Sequence, residues 1–370
     1  MEEIINPIPR ELLKKELSAD KRLRNTNRGG NILYICTAFD SPNVMQEIGR
    51  LREIAFRREG GGTGFSVDID RFDTMNPPCK QLIVWNPEAE EIIGGYRFIY
   101  GPDIRFDEQG QPIIATSHLF QFSDKFIPDY LPQTVELGRS FVAVEYQASR
   151  ADAKGLFALD NLFDGLAALM VVLPDAHYFF GKMTMYPSYK RYARDLILHF
   201  LDKHFGDREQ LVYPHNPLLL DHPTEELDVV TYEDDFKADY KLLNAAVRRL
   251  GCNIPPLVNA YMNLSPTMRI FGTAINDEFG DVEETGLMIN INEMHEDKRV
   301  RHIASFIKEK PEWAHRVAEN KVLYPLKKLI RKRRARKEQS QASSDTATQE
   351  GVRAKIRRHI SRKAKDSSES

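Results

Sequence analysis

The chain has 370 residues, 42% of them hydrophobic, with a formal net charge of −2 and three cysteines. That length suggests about two domains and ample material for a core. Cys36, Cys79 and Cys252 are far apart and in no CxxC pairing, which excludes a disulfide scaffold and points to reduced thiols in a cytosolic protein.

The first residues, MEEIINPIPRELLKKE, are charged throughout, and the stretch to residue 30 reads as polar and helix-prone. NTNRGGN then breaks the pattern before the apolar run ILYICTAF. Apolar Ile48, Leu51, Ile54 and Ala55 recur at helical spacing in VMQEIGRLREIAFRRE, which predicts a helix after Asn43 that EGGGTGF ends. QLIVWN (81–86) and IIGGYRFIY (92–100) predict two strands, and PEAEE between them a hairpin turn. A Pro- and Gly-containing excursion (101–132) leads to the strand VELGRSFVAV (135–144) and a helix from about Gly155 to Leu173. In that helix the apolar run LAALMVVL, residues 166–173, is too short for a membrane span or the core of a cleaved signal. HYFFGKMTM (177–185) predicts a strand and SYKRYARDLILHFLDKHF (188–205) an amphipathic helix. Beyond residue 206 come two helices, FKADYKLLNAAVRRL and the Pro-led IPPLVNAYMNL, and two strands, MRIFGTAIN and TGLMININ.

The order helix, hairpin, strand, helix, strand, helix defines a mixed α/β layer. No period of 20–50 residues repeats, which argues against a solenoid. EQSQASSDTATQEGV (338–352) is low in apolar residues and is expected to be disordered. Four segments follow: an N-terminal extension (1–42), a core (43–205), a C-terminal α/β extension (206–320) and a basic tail (321–370).

Charge is segregated along the chain. From Lys321 onward there are 16 Lys+Arg against 5 Asp+Glu, leaving 36 against 49 for the rest. The body is acidic and the tail is a handle for phosphate, on an anionic membrane or on nucleic acid.

EGGGTG resembles a phosphate loop, but it follows a helix and lacks GK[ST], so it reads as a mobile loop. His215 and Asp221 have five residues between them, one too many for the His/Asp pair of glycerolipid acyltransferases. His199 and His204 miss the i, i+4 spacing of a helical metal site. No metal is expected.

The charged residues of the first two hundred positions are harder to dismiss. Arg52 and Phe56 are one helical turn apart, Asp70 and Asp73 lie in VDIDRFD, Arg97 interrupts an apolar strand, and Glu136 and Arg139 flank Gly138. Each alone is most often a structural ion pair, but ionised groups inside strands are costly unless paired. Glu136 and Arg139, three apart, would point to opposite faces of a regular strand. A β-bulge at Gly138 would return Arg139 to the face of Glu136 and free backbone N–H groups for a carbonyl gaining negative charge.

The patterns LREIAFRREG…VDIDRFD, QLIVWN…IIGGYRFIYG, VELGRSFVAVEYQ and YFFGKMTMYPSY resemble the GNAT-superfamily branch of acyl-homoserine-lactone synthases and the N-acyltransferases of ornithine-lipid and glycine-lipid synthesis. The segment from IPPLVNAYMNL to ININEM is similar to the C-terminal part of the lipid-forming members, often labelled hemolysin-like. The resemblance covers roughly residues 43–300. It implies a GNAT-like α/β fold with a mainly antiparallel sheet flanked by helices, and it gathers Arg52, Phe56, Asp70, Asp73, Arg97, Glu136 and Arg139 around an acyl-transfer site, with Glu136 as the base. It also implies an acyl donor carried on the phosphopantetheine of acyl carrier protein, with no bound cofactor. The Q/R-x-x-G-x-G/A loop of relatives that use acetyl-coenzyme A is replaced by QASRADAKGLF, where Arg150, Lys154 and Gly155 are candidates for phosphate or pantetheine contact.

The expected function is transfer of a long, 3-hydroxylated acyl chain to the α-amine of glycine or ornithine in a bacterial aminolipid pathway. The protein would be cytoplasmic, with its tail able to meet the inner face of the membrane. Arg150, Lys154, Lys190 and Arg191 are candidates for a patch that steers the acidic carrier protein. Two alternatives are a nucleic-acid-binding protein using its tail, which the acidic body argues against, and a coenzyme-A-dependent acetyltransferase.

Overall fold

The computed structural model describes residues 1–147, 157–233 and 235–310. Its strands are β1 Arg22–Asn25, β2 Ile32–Cys36, β3 Lys80–Asn86, β4 Glu91–Tyr100, β5 Phe120–Phe122, β6 Thr134–Val142, β7 Tyr178–Met185, β8 Val212–Pro214, β9 Arg269–Asn276 and β10 Val282–Asn290. Its helices are α1 Arg10–Glu16, α2 Pro42–Arg58, α3 Arg71–Thr74, α4 Phe126–Asp129, α5 Ala158–Val172, α6 Arg191–Phe205, α7 Thr224–Leu227, α8 Phe236–Arg249, α9 Pro256–Met262 and α10 Glu296–Glu309.

Eight strands form one sheet in the order β1-β2-β3-β4-β6-β7-β10-β9, and β5 pairs with β8 in a small second one. Neighbours in the large sheet are antiparallel except β6 and β7, which are parallel. The expected mixed α/β fold with a mainly antiparallel sheet is the one observed. The β3–β4 hairpin turns where PEAEE predicts: the Asn86 side-chain oxygen accepts from the N–H groups of Glu88 (3.0 Å) and Ala89 (3.1 Å), closing an Asx turn.

The first thirty residues do not form the expected helix throughout. Only α1 is α-helical, a single 3-10 turn follows at Ala19–Lys21, and Arg22–Asn25 becomes the edge strand β1, paired with β2. The reason is tertiary. The buried Arg24 guanidinium donates to the His302 carbonyl (3.0 Å) and the Ser305 hydroxyl (2.9 Å) on α10, contacts that an isolated segment lacks. The segments before residue 43 and after residue 205 both add strands to the large sheet, β1–β2 and β9–β10, and Met1–Trp313 is one compact unit. Residues 321–370, expected as a basic tail, and 338–352 within them, expected to be disordered, lie outside the described residues.

Cross-strand register sorts the sheet into two faces. Gln81 pairs with Arg97, and Glu136 with Phe180 and through it Met288, placing these on one face. Leu82 pairs with Tyr96, and Leu137 with Gly181 and through it Leu287, on the other. The first face carries α2 and a core of Ile99, Phe120, Phe122, Phe126, Phe180 and Met288. The second carries α5, which approaches so closely that a Cβ on Gly165 would meet Leu82 Cδ2 at 2.6 Å.

Candidate active site

The site begins where two strands part. β6 and β7 pair only from Thr134↔Tyr178 to Leu137↔Gly181, yet they continue to Val142 and Met185. On its other side β6 pairs Gly138 with Arg97 and Phe141 with Gly95, so one extra residue of β6 stands opposite Tyr96. This is the expected bulge, displaced by one residue: Arg139, not Gly138, takes the left-handed backbone, with φ 47°. Such a conformation is uncommon outside glycine and persists where surrounding contacts over-determine it. Here Arg139 Nε donates to Asp68 Oδ1 (3.1 Å), Nη2 lies 3.6 Å from Asp70 Oδ2, and the guanidinium sits 4.2 Å over the Phe279 ring.

Behind the bulge is a buried charge network. Asp70 caps α3 by accepting from the N–H groups of Phe72 (2.8 Å) and Asp73 (3.3 Å), while Asp73 Oδ2 accepts from the Asp70 N–H (3.1 Å). Arg97 Nη1 donates to both carboxylates, at 2.6 Å to Asp70 and 3.2 Å to Asp73. Arg52 reaches Gln81 Oε1 (2.5 Å) and lies 3.5 Å from Asp73, and Gln81 donates to Asp73 (2.8 Å). Burial pushes the Asp70 carboxyl up, but the charge and hydrogen bond of Arg97 and the charge of Arg139 outweigh it and hold Asp70 well below the usual carboxylate range. Asp68 goes the other way, because complete burial outweighs Arg139 and Arg52.

A cavity of about 1570 Å³ passes through the opening between β6 and β7 and reaches both faces of the sheet. Ligand pockets of drug-sized molecules are about 300–1,000 Å³, so this one suits a long or two-part substrate. On the first face its wall is charged: Asp70, Arg97, Glu136, Arg139, Lys182 and Glu284. On the second it is apolar and aromatic, from Tyr96, Leu162, Leu166, Phe179, Tyr261 and Leu287. Burial raises the Tyr96 and Tyr261 phenols, so both stay protonated.

Glu136 is 4% exposed, and its Oε1 accepts from the Thr116 N–H (3.0 Å) and hydroxyl (2.9 Å). Burial raises its pKa, opposed by Arg97, Thr116 and Lys182. A carboxylate made more basic by burial and lining a cavity is suited to proton transfer. Lys182 pairs with Glu284 at 2.5 Å, and Asn276 Nδ2 donates to the same Glu284 oxygen (3.0 Å). Burial pushes Glu284 up, but Lys182, Arg139 and Asn276 keep it below its ordinary value. His118 bonds Ala115 O through Nδ1 (2.8 Å) and Asn276 Oδ1 through Nε2 (3.3 Å), and burial followed by the charge of Lys182 lowers its pKa.

Of the residues singled out in the sequence, Phe56, Asp70, Arg97, Glu136, Gly138 and Arg139 line the cavity. Arg52 and Asp73 do not reach it and instead brace Arg97 and Asp70 from behind. Arg150, Lys154 and Gly155 lie outside the described residues. Lys190 donates to the Leu250 carbonyl (2.6 Å) and Arg191 pairs with the buried Glu283. Sequence reasoning missed Asp68, Thr116, His118, Lys182, Asn276 and Glu284. Lys182 carried the signal that identified Arg97, a cation inside an apolar strand.

The set-aside motifs have structural partners. His199 bonds Asp228 (3.0 Å), His204 bonds Asp239 (3.0 Å), His215 bonds the Ser117 carbonyl (3.1 Å) and Asp221 pairs with Arg194 (2.7 Å). The glycine-rich loop after α2 is fastened rather than free. The buried Glu53 carboxylate accepts from the N–H groups of Thr63 (3.0 Å) and Gly64 (2.8 Å), which leaves those donors unavailable to a phosphate.

Residues 51–155 match the acetyltransferase (GNAT) domain family. The fold and the matched region define the chain as a GNAT-type acyltransferase. It is 66% identical over 312 residues to the glycine N(alpha)-acyltransferase of Bacteroides thetaiotaomicron, covering 84% of this chain and 93% of that protein. It is 64% identical over 312 residues to the glycine N(alpha)-acyltransferase of Phocaeicola vulgatus, covering 84% of this chain and 96% of that one. The chain belongs to the family of these two proteins. A crystal structure of the AHL synthase LasI, 15% identical, superposes with a TM-score of 0.29 over 42% of this chain and 72% of that one, a likeness too slight to argue from. Among the described residues no helix is long and apolar enough to cross a membrane.

Proposed function

We propose that the chain transfers a long acyl group from the phosphopantetheine thioester of acyl carrier protein to the α-amine of glycine, forming an N-acylglycine that enters aminolipid synthesis. The observation that carries this reading is the cavity through the sheet, charged on one face and apolar on the other. A zwitterionic acceptor belongs in the first chamber and an acyl chain in the second. The thioester carbonyl then lies at the opening, beside the bulge at Gly138–Ser140. The names of the two relatives favour glycine over ornithine as the acceptor.

Only a free amine attacks a thioester. Glu136 takes a proton from the glycine ammonium, the nitrogen adds to the carbonyl carbon, and backbone N–H groups of the bulge stabilise the oxyanion. The tetrahedral adduct collapses with cleavage of the C–S bond; the proton held by Glu136 passes to the departing thiolate, and the second proton, shed as the adduct nitrogen becomes the amide, is released to solvent. The reaction as written uses the thioester of the donor and no resident cofactor.

Arg97 and Arg139 keep Asp70 ionised, and the contacts of Arg139 with Asp68 and Asp70 hold the bulge in place. At low ionic strength Lys190, adjoining the cavity residues Ser188 and Tyr189, favours the acidic carrier protein over a neutral donor. The basic segment from Lys321 onward holds the enzyme at an anionic membrane surface, where its amphiphilic product belongs.

Incubating the purified full chain with glycine and either acyl carrier protein or coenzyme A thioesters, with mass spectrometry of the products, tests this. N-acylglycine formed from the carrier-protein donor is expected. Product from acetyl-coenzyme A alone, or acylation of other amines but not glycine, would refute it.

A further inference from the structure

The geometry points to Lys182 as the residue that holds the acceptor's carboxylate, with the acceptor's nitrogen directed at the cavity-facing oxygen of Glu136. This rests on the reading of the protein as an amino-acid N-acyltransferase.

A zwitterion needs a cation with donors to spare. Arg97 already faces two carboxylates, Asp70 and Asp73, through Nη1, and Arg139 faces Asp68, Asp70 and the Phe279 ring, so the positive charge of each is more than balanced. Arg52 does not line the cavity, and both ring nitrogens of His118 are already engaged, by the Ala115 carbonyl (2.8 Å) and Asn276 Oδ1 (3.3 Å). Lys182 remains. Its ammonium has three donors, and among the described residues its one carboxylate partner is Glu284, at 2.5 Å. Glu284 is in turn fixed by Asn276 (3.0 Å), whose other amide atom meets His118 (3.3 Å). The ammonium is thus positioned from behind, on the chamber wall.

Lys182 follows Phe180 by two residues on β7, and Phe180 is the register partner of Glu136. Glu136 and Lys182 therefore lie on the same face of the sheet, on either side of the opening where β6 and β7 stop pairing. One small zwitterion spans that gap with a hydrogen bond at each end. Glu136 Oε1 takes both bonds from Thr116, and among the described residues no hydrogen bond reaches Oε2. The amine therefore meets the unoccupied carboxylate oxygen. The arrangement selects α-amino acids over simple amines, because the carboxylate is what Lys182 reads.

The test compares glycine with glycinamide, which lacks the carboxylate, in the full-length parent, in Lys182→Met, and in Lys182→Met/Glu284→Gln, which removes the carboxylate that the single variant leaves unpaired. Both variants are expected to lose about 10- to 100-fold in kcat/KM for glycine, the size of a lost charge-assisted hydrogen bond. The ratio of kcat/KM for glycine to that for glycinamide should fall by most of that factor, because only glycine carries the carboxylate that Lys182 reads, while the KM for the acyl donor stays within about twofold. Equal loss on both acceptors, or no loss on glycine, would overturn the assignment. If the parent acylates no carboxylate-bearing amine, the functional reading fails and this inference with it. A parent that acylates glycine but whose variants show an unchanged glycine-to-glycinamide ratio refutes Lys182 alone.

Discussion

Replacing Glu136 by Gln tests the chemistry with little disturbance to the fold. The Gln oxygen can keep both hydrogen bonds from Thr116, at 3.0 and 2.9 Å, and its amide fills the space of the cavity-facing oxygen. Arg97 retains Asp70 and Asp73 as partners, so no buried cation is left unpaired. Stability should therefore change by no more than about 1 kcal/mol, whereas loss of a general base should lower turnover about 10²-fold, or about 2.7 kcal/mol in the barrier.

The pH dependence sharpens the test. Burial raises Glu136 from its ordinary 4.5, and a base works only when deprotonated. The parent's kcat/KM is thus present above that raised pKa and falls as pH drops through it, giving an acid limb displaced upward from the ordinary glutamate value. Glu136→Gln should lack this limb, and its deficit should shrink at alkaline pH, where glycine supplies its own free amine. The assay is N-acylglycine formation by mass spectrometry across pH, with urea melts to confirm the fold. A variant with parental turnover and the same acid limb would refute the role of Glu136.

Asp70 is held below its ordinary 3.8 by Arg97 and Arg139, so the stability it contributes is present above 3.8 and lost as pH falls from there through its lower folded value. Asp70→Asn should accordingly flatten the urea midpoint against pH over that range. Arg52→Met breaks a fully buried pair and should cost about 3–5 kcal/mol. Thermal melts would show this, while the KM for glycine of the folded fraction stays parental because Arg52 does not line the cavity. Leu166→Phe, on the apolar wall, should shift preference toward shorter acyl thioesters in a competition assay. Deleting residues 321–370 should leave turnover on soluble substrates nearly unchanged and abolish sedimentation with anionic liposomes at low salt. Retained sedimentation would remove the tail from membrane binding.

Local pattern determined much of this protein. Helical spacing of Ile48, Leu51 and Ala55 marks α2, alternation marks β4, β6 and β7, and Gly138 between Glu136 and Arg139 marks an irregular strand. The cost of burying charge in strands was enough to single out Arg97, Glu136 and Arg139 without a structure. Tertiary structure decided which of these charges face a substrate. Arg52 and Asp73 read like their neighbours in the sequence, yet they point away from the cavity, because α2 turns Arg52 toward Gln81 on β3. The bulge falls on Arg139 rather than on the more permissive Gly138, because two carboxylates and an aromatic ring converge there from two distant segments. Lys182 and Glu284 are about a hundred residues apart, and their meeting depends on β10 pairing with β7. That pairing is a long-range event with no local periodicity to announce it. The passage through the sheet is likewise a property of two strands ceasing to pair, and pairing is settled only when the whole sheet is assembled.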